Sequence, residues 1–235
     1  MQPIWECLGP LQGDDAQAGP TPCRDGAPSA LDYSFDMEIK GFRFFPAAID
    51  APLQAALVEA VLAAAKSAPF YRPLTPGGKA MSVLQTSFGP LGWVTDRAGY
   101  RYEPRHPATG EPWPEMPEVL LDIWGRYTET DRPPDSCLVN LYRADARIGL
   151  HQDADEADFD VPVLSISLGD TAVFRLGGLS RGDPTRTLRL ASGDVCRLGG
   201  AARRAYHGVD RILTGSSRLI PDGGRINLTL RRATR

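Results

Sequence analysis

Arg225-Ile226-Asn227-Leu228-Thr229-Leu230-Arg231 alternates without a break, so Arg225, Asn227, Thr229 and Arg231 fall on one face of an extended strand and Ile226, Leu228 and Leu230 on the other. The aliphatic face belongs to a core. The opposite face carries two guanidinium groups, and if it also points inward each needs an anion, because an unpaired buried charge is costly and the arginine fork matches a carboxylate. The strand is therefore either half of a dicarboxylate clamp or an edge strand with its polar face in water. Cys137-Leu138-Val139-Asn140-Leu141-Tyr142 repeats the pattern and sets Asn140 and Tyr142 on a common face.

Around these two runs the sequence from residue 135 onward breaks into short strands separated by turn signals, at 137–142, 148–153, 161–168, 172–176, 187–190, 194–198 and 225–232, the spacing of a sandwich or barrel. Upstream, 39–45 reads as a strand stopped by Pro46. A helix follows, with Asp50 at its N-cap, Pro52 in its first turn and Leu53, Leu57, Val58, Val61 and Leu62 on one face before Pro69. A strand is expected at 82–88 and a second helix at 117–127, with Val119, Leu120, Ile123 and Trp124 inward. The stretch 89–114 mixes aromatics, arginines and turn residues without a period, which marks a functional or irregular segment. The first 36 residues are acidic, Pro/Gly-rich and poor in large aliphatics, a loosely ordered arm ahead of one domain over 37–235.

With 235 residues, 42% of them hydrophobic, the chain can bury one large core without disulfides or a structural metal. The 24 glycines, 21 prolines and 8% aromatics favour a turn-rich α+β, β-rich protein over a helical bundle, and exclude collagen and coiled coil. Cys7, Cys23, Cys137 and Cys196 form no C-x-x-C pair and read as free thiols of a reducing compartment. The longest apolar run, 55–65, is interrupted by Glu59 and is too short to span a bilayer, so a soluble, cytoplasmic protein is expected, with Asn227-Leu228-Thr229 unused as a glycosylation sequon. The net charge of −3 names no polyanionic partner by itself, yet arginines recur from Arg203 to Arg235 against only Asp210 and Asp222.

Three histidines, His106, His151 and His207, leave few candidates for imidazole chemistry. His151 and Asp153 stand two apart at the end of an expected strand and can share a face. His207 would complete a two-His, one-carboxylate set with open positions opposite, an arrangement that implies chemistry rather than a structural metal. His-x-Asp alone is also compatible with a hydrogen-bonded core histidine. His106, between Arg105 and Pro107, reads as a surface residue, Cys196 as packing, and Trp113 between two prolines as an anchor.

Taken together, His151-Gln152-Asp153, His207 and Arg225-x-Asn227-x-x-x-Arg231, preceded by Asn140-Leu141-Tyr142, resemble the AlkB family of Fe(II)- and 2-oxoglutarate-dependent dioxygenases, which repair alkylated nucleic acid, and its bacterial type most closely. The likeness runs over about 42–232 and includes Leu91-Gly92-Trp93, Gly99-Tyr100-x-Tyr102, Pro112-Trp113-Pro114, Ser165-x-Ser167-Leu168-Gly169, Gly177-Gly178-Leu179-x-Arg181 and Tyr206-His207-Gly208. It implies a double-stranded β-helix (jelly-roll) core over about 135–232, N-terminal helices and a nucleotide-recognition segment over about 69–114. It implies that His151, Asp153 and His207 bind Fe(II). Arg225 would meet the C5 carboxylate of 2-oxoglutarate, Arg231 would lie near its C1 end and Asp153, and Asn140, Tyr142 and Asn227 would hydrogen-bond it. O2 is the second cosubstrate, and the reaction removes the alkyl group as an aldehyde, leaving succinate and CO2.

For substrate, the resemblance implies that Trp93 and His207 sandwich an extruded base, that Asp155 approaches its exocyclic amine, and that Tyr100, Arg101, Tyr102 and Arg181 add contacts. The chemistry agrees with this, because 1-methyladenine and 3-methylcytosine are cationic and suit a carboxylate and an indole face. Within the acidic run from Asp153 to Asp160 only Asp153 and Asp155 receive roles. The partner implied is alkylated DNA, single- or double-stranded, with RNA as the alternative, met by a monomer with no membrane contact. Ala154 stands where a basic residue is frequent in the family, and the stretch 209–224 differs in length. A protein side chain as substrate, or a non-catalytic cupin-like barrel holding metal or an anion, remain the competing readings.

Overall fold

Arg225–Arg231 forms the strand its alternation predicts, and it lies inside a sheet, hydrogen-bonded on both sides with every residue buried, so the edge-strand reading fails. The computed structural model describes residues 41–235. The expected arm at 1–36, the start of the strand expected at 39–45, Cys7 and Cys23 lie outside the described residues.

In chain order the elements are β1 (Phe42–Phe45), α1 (Ala51–Ala64), β2 (Leu84–Phe88), β3 (Gly92–Asp96), β4 (Gly99–Glu103), α2 (Glu118–Thr128), β5 (Ser136–Tyr142), β6 (Ile148–His151), β7 (Val163–Gly169), β8 (Thr171–Leu176), β9 (Arg186–Leu190), β10 (Val195–Leu198), β11 (His207–Leu213) and β12 (Arg225–Arg231). Six strands form a major sheet in the order β1-β10-β7-β12-β5-β2, and four a minor sheet in the order β6-β11-β8-β9, with all pairings antiparallel. Tyr142, Val163, Cys196 and Leu198 of the major sheet pack with Phe174, Leu176, Leu188 and Val209 of the minor sheet, so the two face each other as a double-stranded β-helix.

The register of β12 sorts the two faces. Ile226, Leu228 and Leu230 lie beside Leu141, Val139 and Cys137 on one flank and Leu168, Ile166 and Leu164 on the other, and this face is covered by Leu57, Val58 and Val61 of α1 and Leu120, Ile123 and Trp124 of α2. Asp50 caps α1 by accepting from the Leu53 backbone N–H at 2.9 Å, and Pro52 occupies the first turn as expected. Leu62, expected inward, is 42% exposed, because the buried stripe is only as wide as Leu57, Val58 and Val61.

Three expectations are corrected. The stretch read as aperiodic holds the hairpin β3–β4, with Trp93 opposite Tyr102 and Thr95 opposite Tyr100, its turn closed where Asp96 accepts from the Ala98 N–H at 2.7 Å. Val94 anchors the hairpin's other face with Ala68 and Trp113, and Gly92 presses so closely that a Cβ there would lie 2.3 Å from the Trp113 indole. His207–Leu213 is a strand that the sequence concealed, because a bulge between Val209 and Arg211 breaks its alternation. His106 is buried, not at the surface. Its Nδ1 accepts from the Ala108 and Thr109 N–H groups at 3.1 and 3.2 Å, so Nε2 carries the hydrogen and donates to the Pro69 carbonyl at 2.8 Å, with the ring edge-on to Tyr71 and Trp113.

Candidate active site

β6 ends where β11 begins, and their register sets His151 directly opposite His207 with ring centroids 4.4 Å apart. In each ring Nδ1 faces a backbone carbonyl, Gly149 at 3.0 Å for His151 and Ala205 at 2.9 Å for His207. A carbonyl can only accept, so Nδ1 carries the hydrogen and Nε2 presents its lone pair to the interior. Asp153 lies beyond the end of β6, so strand alternation does not aim it as expected. Arg203 Nη1 donates to its backbone carbonyl at 2.8 Å and Arg231 Nη2 to its Oδ1 at 2.7 Å, and these two bonds hold it.

The three residues offer ligand atoms within 4.8 Å of one another, with His151 Nε2 3.8 Å from Asp153 Oδ1 and His207 Nε2 3.7 Å from Oδ2. These separations are too long for hydrogen bonds, but donors each about 2.1 Å from one ion lie roughly 3–4 Å apart. Burial would push the Asp153 carboxyl up, but Arg231, and after it His207 and His151, hold it well below the usual carboxylate range. Burial, and after it the neighbouring His151, bring His207 down to about 4, so it is neutral and able to ligate near pH 7. A carboxylate and two imidazoles form a donor set that fits Fe(II).

Beneath this triad extends a cavity of about 770 Å³ between the sheets. Arg225 lies in it, 1% exposed, its Nη2 donating to Ser167 Oγ at 2.9 Å while Nε and Nη1 have no hydrogen-bond partner among the described residues. A buried guanidinium with two unpartnered nitrogens calls for an anion, and a carboxylate fits. Tyr142 packs under the guanidinium, 5.2 Å from ring centroid to Cζ, and burial pushes its phenol up to about 12, so it is a neutral donor. Gln85 Nε2 donates to Asn140 Oδ1 at 2.8 Å, which leaves the Asn140 amide hydrogens for a ligand. Asn227 also lines the cavity, but its Nδ2 already donates to Ser165 Oγ and the Ile166 carbonyl and its Oδ1 accepts from Thr229.

At the mouth stand Trp93, Tyr100, Asp155 and Arg181. Trp93 stacks on Tyr100 at 5.6 Å and 17°, and its Nε1 donates to Asp155 Oδ2 at 2.7 Å. Arg181 lies 5.8 Å over the Tyr206 ring, Nη1 donating to the Leu150 carbonyl at 2.9 Å. Two residues expected to meet substrate are not brought there. Arg101 lies on the opposite face of the hairpin, paired with Asp96 at 2.9 Å and Glu103 at 2.6 Å, and Tyr102 turns inward to donate to Glu156 at 2.5 Å. Sequence reasoning gave no role to Gln85, Ser165, Ser167, Glu156 and Arg203. The alternation of Ser165 and Ser167 in β7 was readable, whereas Gln85 stands in an unbroken polar run, 85–87, and nothing local marked Glu156 or Arg203.

The profile of the 2OG-Fe(II) oxygenase superfamily matches residues 41–231. The chain is similar to an alpha-ketoglutarate-dependent dioxygenase AlkB homolog of Caulobacter vibrioides, 66% identical over 195 residues that cover 83% of this chain and 89% of that one. It is 44% identical to the alpha-ketoglutarate-dependent dioxygenase AlkB of Escherichia coli over 173 residues, 72% of this chain and 80% of that one. The solved structure of OsALKBH1 superposes with a TM-score of 0.70 at 29% identity, covering 82% of this chain and 96% of the other. Profile, relatives and cavity agree: the chain belongs to the 2OG-Fe(II) oxygenase superfamily and, within it, to the AlkB family of dioxygenases.

Proposed function

We propose that this chain removes alkyl groups oxidatively from DNA bases modified at ring nitrogens, of the 1-methyladenine and 3-methylcytosine type. The observation that carries the reading is the cavity with the two unpartnered nitrogens of Arg225 within it, the His151, Asp153 and His207 set above, and Trp93 with Asp155 at its entrance. Fe(II) and 2-oxoglutarate, when bound, supply the activation of O2 in which 2-oxoglutarate becomes succinate and CO2 and one oxygen atom is delivered to the N-alkyl carbon.

The protein's part is positioning. His151, Asp153 and His207 would hold the ion from one side. Arg225 receives the C5 carboxylate, Tyr142 and Asn140 donate hydrogen bonds to the cosubstrate, and Arg231 fixes Asp153. Trp93 and His207 flank the extruded base, and the Asp155 carboxylate favours its positive charge over a neutral base. In the hydroxylated product of a methyl lesion the hydroxyl gives up its proton to water, the O–H electron pair forms the C=O bond, the C–N bond breaks with its electron pair returning to the ring nitrogen, and the carbon leaves as formaldehyde.

No helix among the described residues is long and apolar enough to cross a membrane. Cys137 and Cys196 are free and buried, and burial pushes both thiols up, which suits the reducing cytoplasm. The working unit is a monomer in this reading. The test is anaerobic loading with Fe(II) and 2-oxoglutarate, then O2 and a methylated oligonucleotide, followed by mass spectrometry, with His151→Ala as control. Loss of one methyl mass from DNA only with the unsubstituted protein supports the reading. Consumption of 2-oxoglutarate with DNA unchanged and RNA demethylated overturns the choice of substrate, and no consumption overturns the chemistry.

A further inference from the structure

Trp93 and Tyr102, opposite each other in the hairpin, each hold one of two consecutive acids that follow Asp153: Trp93 donates to Asp155 at 2.7 Å and Tyr102 to Glu156 Oε1 at 2.5 Å. The first bond is at the surface and the second is partly buried. The other oxygen of Glu156 accepts from Arg203 Nη2 at 3.0 Å, and Arg203 also donates to the Asp153 carbonyl and to the Val161 carbonyl, each at 2.8 Å. Arg231 Nε lies 3.6 Å from Glu156 Oε1 while its Nη2 donates to Asp153 Oδ1 at 2.7 Å. Asp153, Glu156, Arg203 and Arg231 are each at most 6% exposed. Two carboxylates and two guanidiniums thus form a buried set without net charge.

We propose that Glu156 is a positioning residue for Asp153. It neutralises one of the two arginines, so that Asp153 bonds a single guanidinium N–H through Oδ1 and keeps Oδ2, turned toward His207, for a divalent ion. Through Tyr102 it also ties the hairpin that carries Trp93 to the same carboxylate. Without its charge, Arg203 and Arg231 share Asp153 alone, and the second guanidinium competes with the ion for the free oxygen. The inference rests on the metal reading of His151, Asp153 and His207.

The test is titration of the full, metal-free chain with Mn(II) in the presence of 2-oxoglutarate, reading unbound ion by electron paramagnetic resonance. Glu156→Gln is expected to weaken binding about tenfold with an unchanged circular dichroism spectrum, in the range that partners behind metal ligands command. Glu156→Asp keeps the charge beside Arg203 and Arg231 and is expected to retain most of the affinity, whereas a role in packing alone predicts a loss as large as that of Glu156→Gln. A folded Glu156→Gln that binds Mn(II) like the unsubstituted chain overturns the proposal. If that variant does not fold, Tyr102→Phe decides: about threefold weaker binding supports the proposal, and unchanged binding overturns it. Equal binding by His151→Ala overturns the metal reading and this proposal with it, whereas loss in His151→Ala beside full binding in Glu156→Gln overturns this proposal alone.

Discussion

The cavity floor and the cavity mouth are built on opposite terms. At the floor Arg225, Asn140, Tyr142 and Asn227 are buried, and sheet register fixes them: Arg225 beside Tyr142, Asn227 beside Asn140. At the mouth Tyr100 is 53% exposed, and a single surface hydrogen bond joins Trp93 to Asp155. A cosubstrate of constant shape can be met by preorganised groups inside a sandwich. A base arriving in varied strands is better met by a two-stranded hairpin whose ring faces are open.

The contrast predicts a gradient of effects. His207→Ala should abolish turnover, by more than about 10³-fold, because the ion loses a ligand and the β6–β11 junction its cross-strand partner, which single-turnover assays measure. Arg225→Met should raise the KM for 2-oxoglutarate by about 10²–10³-fold and leave oligonucleotide affinity unchanged, as expected when one side of a buried charge pair is removed. Metal-free protein should lose stability with acid. His207 titrates at about 4 folded and at its ordinary 6.5 unfolded, so below pH 6.5 the unfolded chain binds a proton that the folded one refuses. Stability then falls as pH drops from about 6.5 to about 4, by roughly 3 kcal/mol, and denaturant melts with and without Mn(II) across that window check it. At the mouth, Trp93→Ala should cost about 1–3 kcal/mol of oligonucleotide binding with the KM for 2-oxoglutarate unchanged. Arg101→Ala should stay within about twofold in both constants, since exposed ion pairs contribute little and Arg101 faces away from the base. A large loss there would blur the division between floor and mouth.

The floor was legible in the sequence because β12 and β5 keep strict alternation, and a burial pattern of period two survives in the order of residues. The mouth was less legible. In β3 both faces are occupied, Val94 in a small core and Trp93 with Tyr100 at the cavity, so apolar and polar residues do not alternate there, and the short alternation of β4 stands without a readable partner strand. β11 was hidden by its bulge at Asp210. Glu156 could not be told from its acidic neighbours, because which acid turns inward depends on Arg203, 47 positions away. His106 was misread from its flanks, since its burial follows from a tight loop that uses Nδ1 and from the bond of Nε2 to the Pro69 carbonyl, 37 positions away.

Gly92 sets how far the hairpin stands from the body of the protein. A methyl group at that position would lie 2.3 Å from the Trp113 ring, against a normal carbon contact of about 3.5 Å, so the strand would have to lift by roughly 1 Å. Trp93 is the next residue, and the lift would pass directly to the indole. One hydrogen atom thus acts as the spacer that gauges the width of the entrance, and Gly92→Ala, by driving the strand away from Trp113 and toward the side that carries Trp93, would make a narrower gate on an unaltered floor.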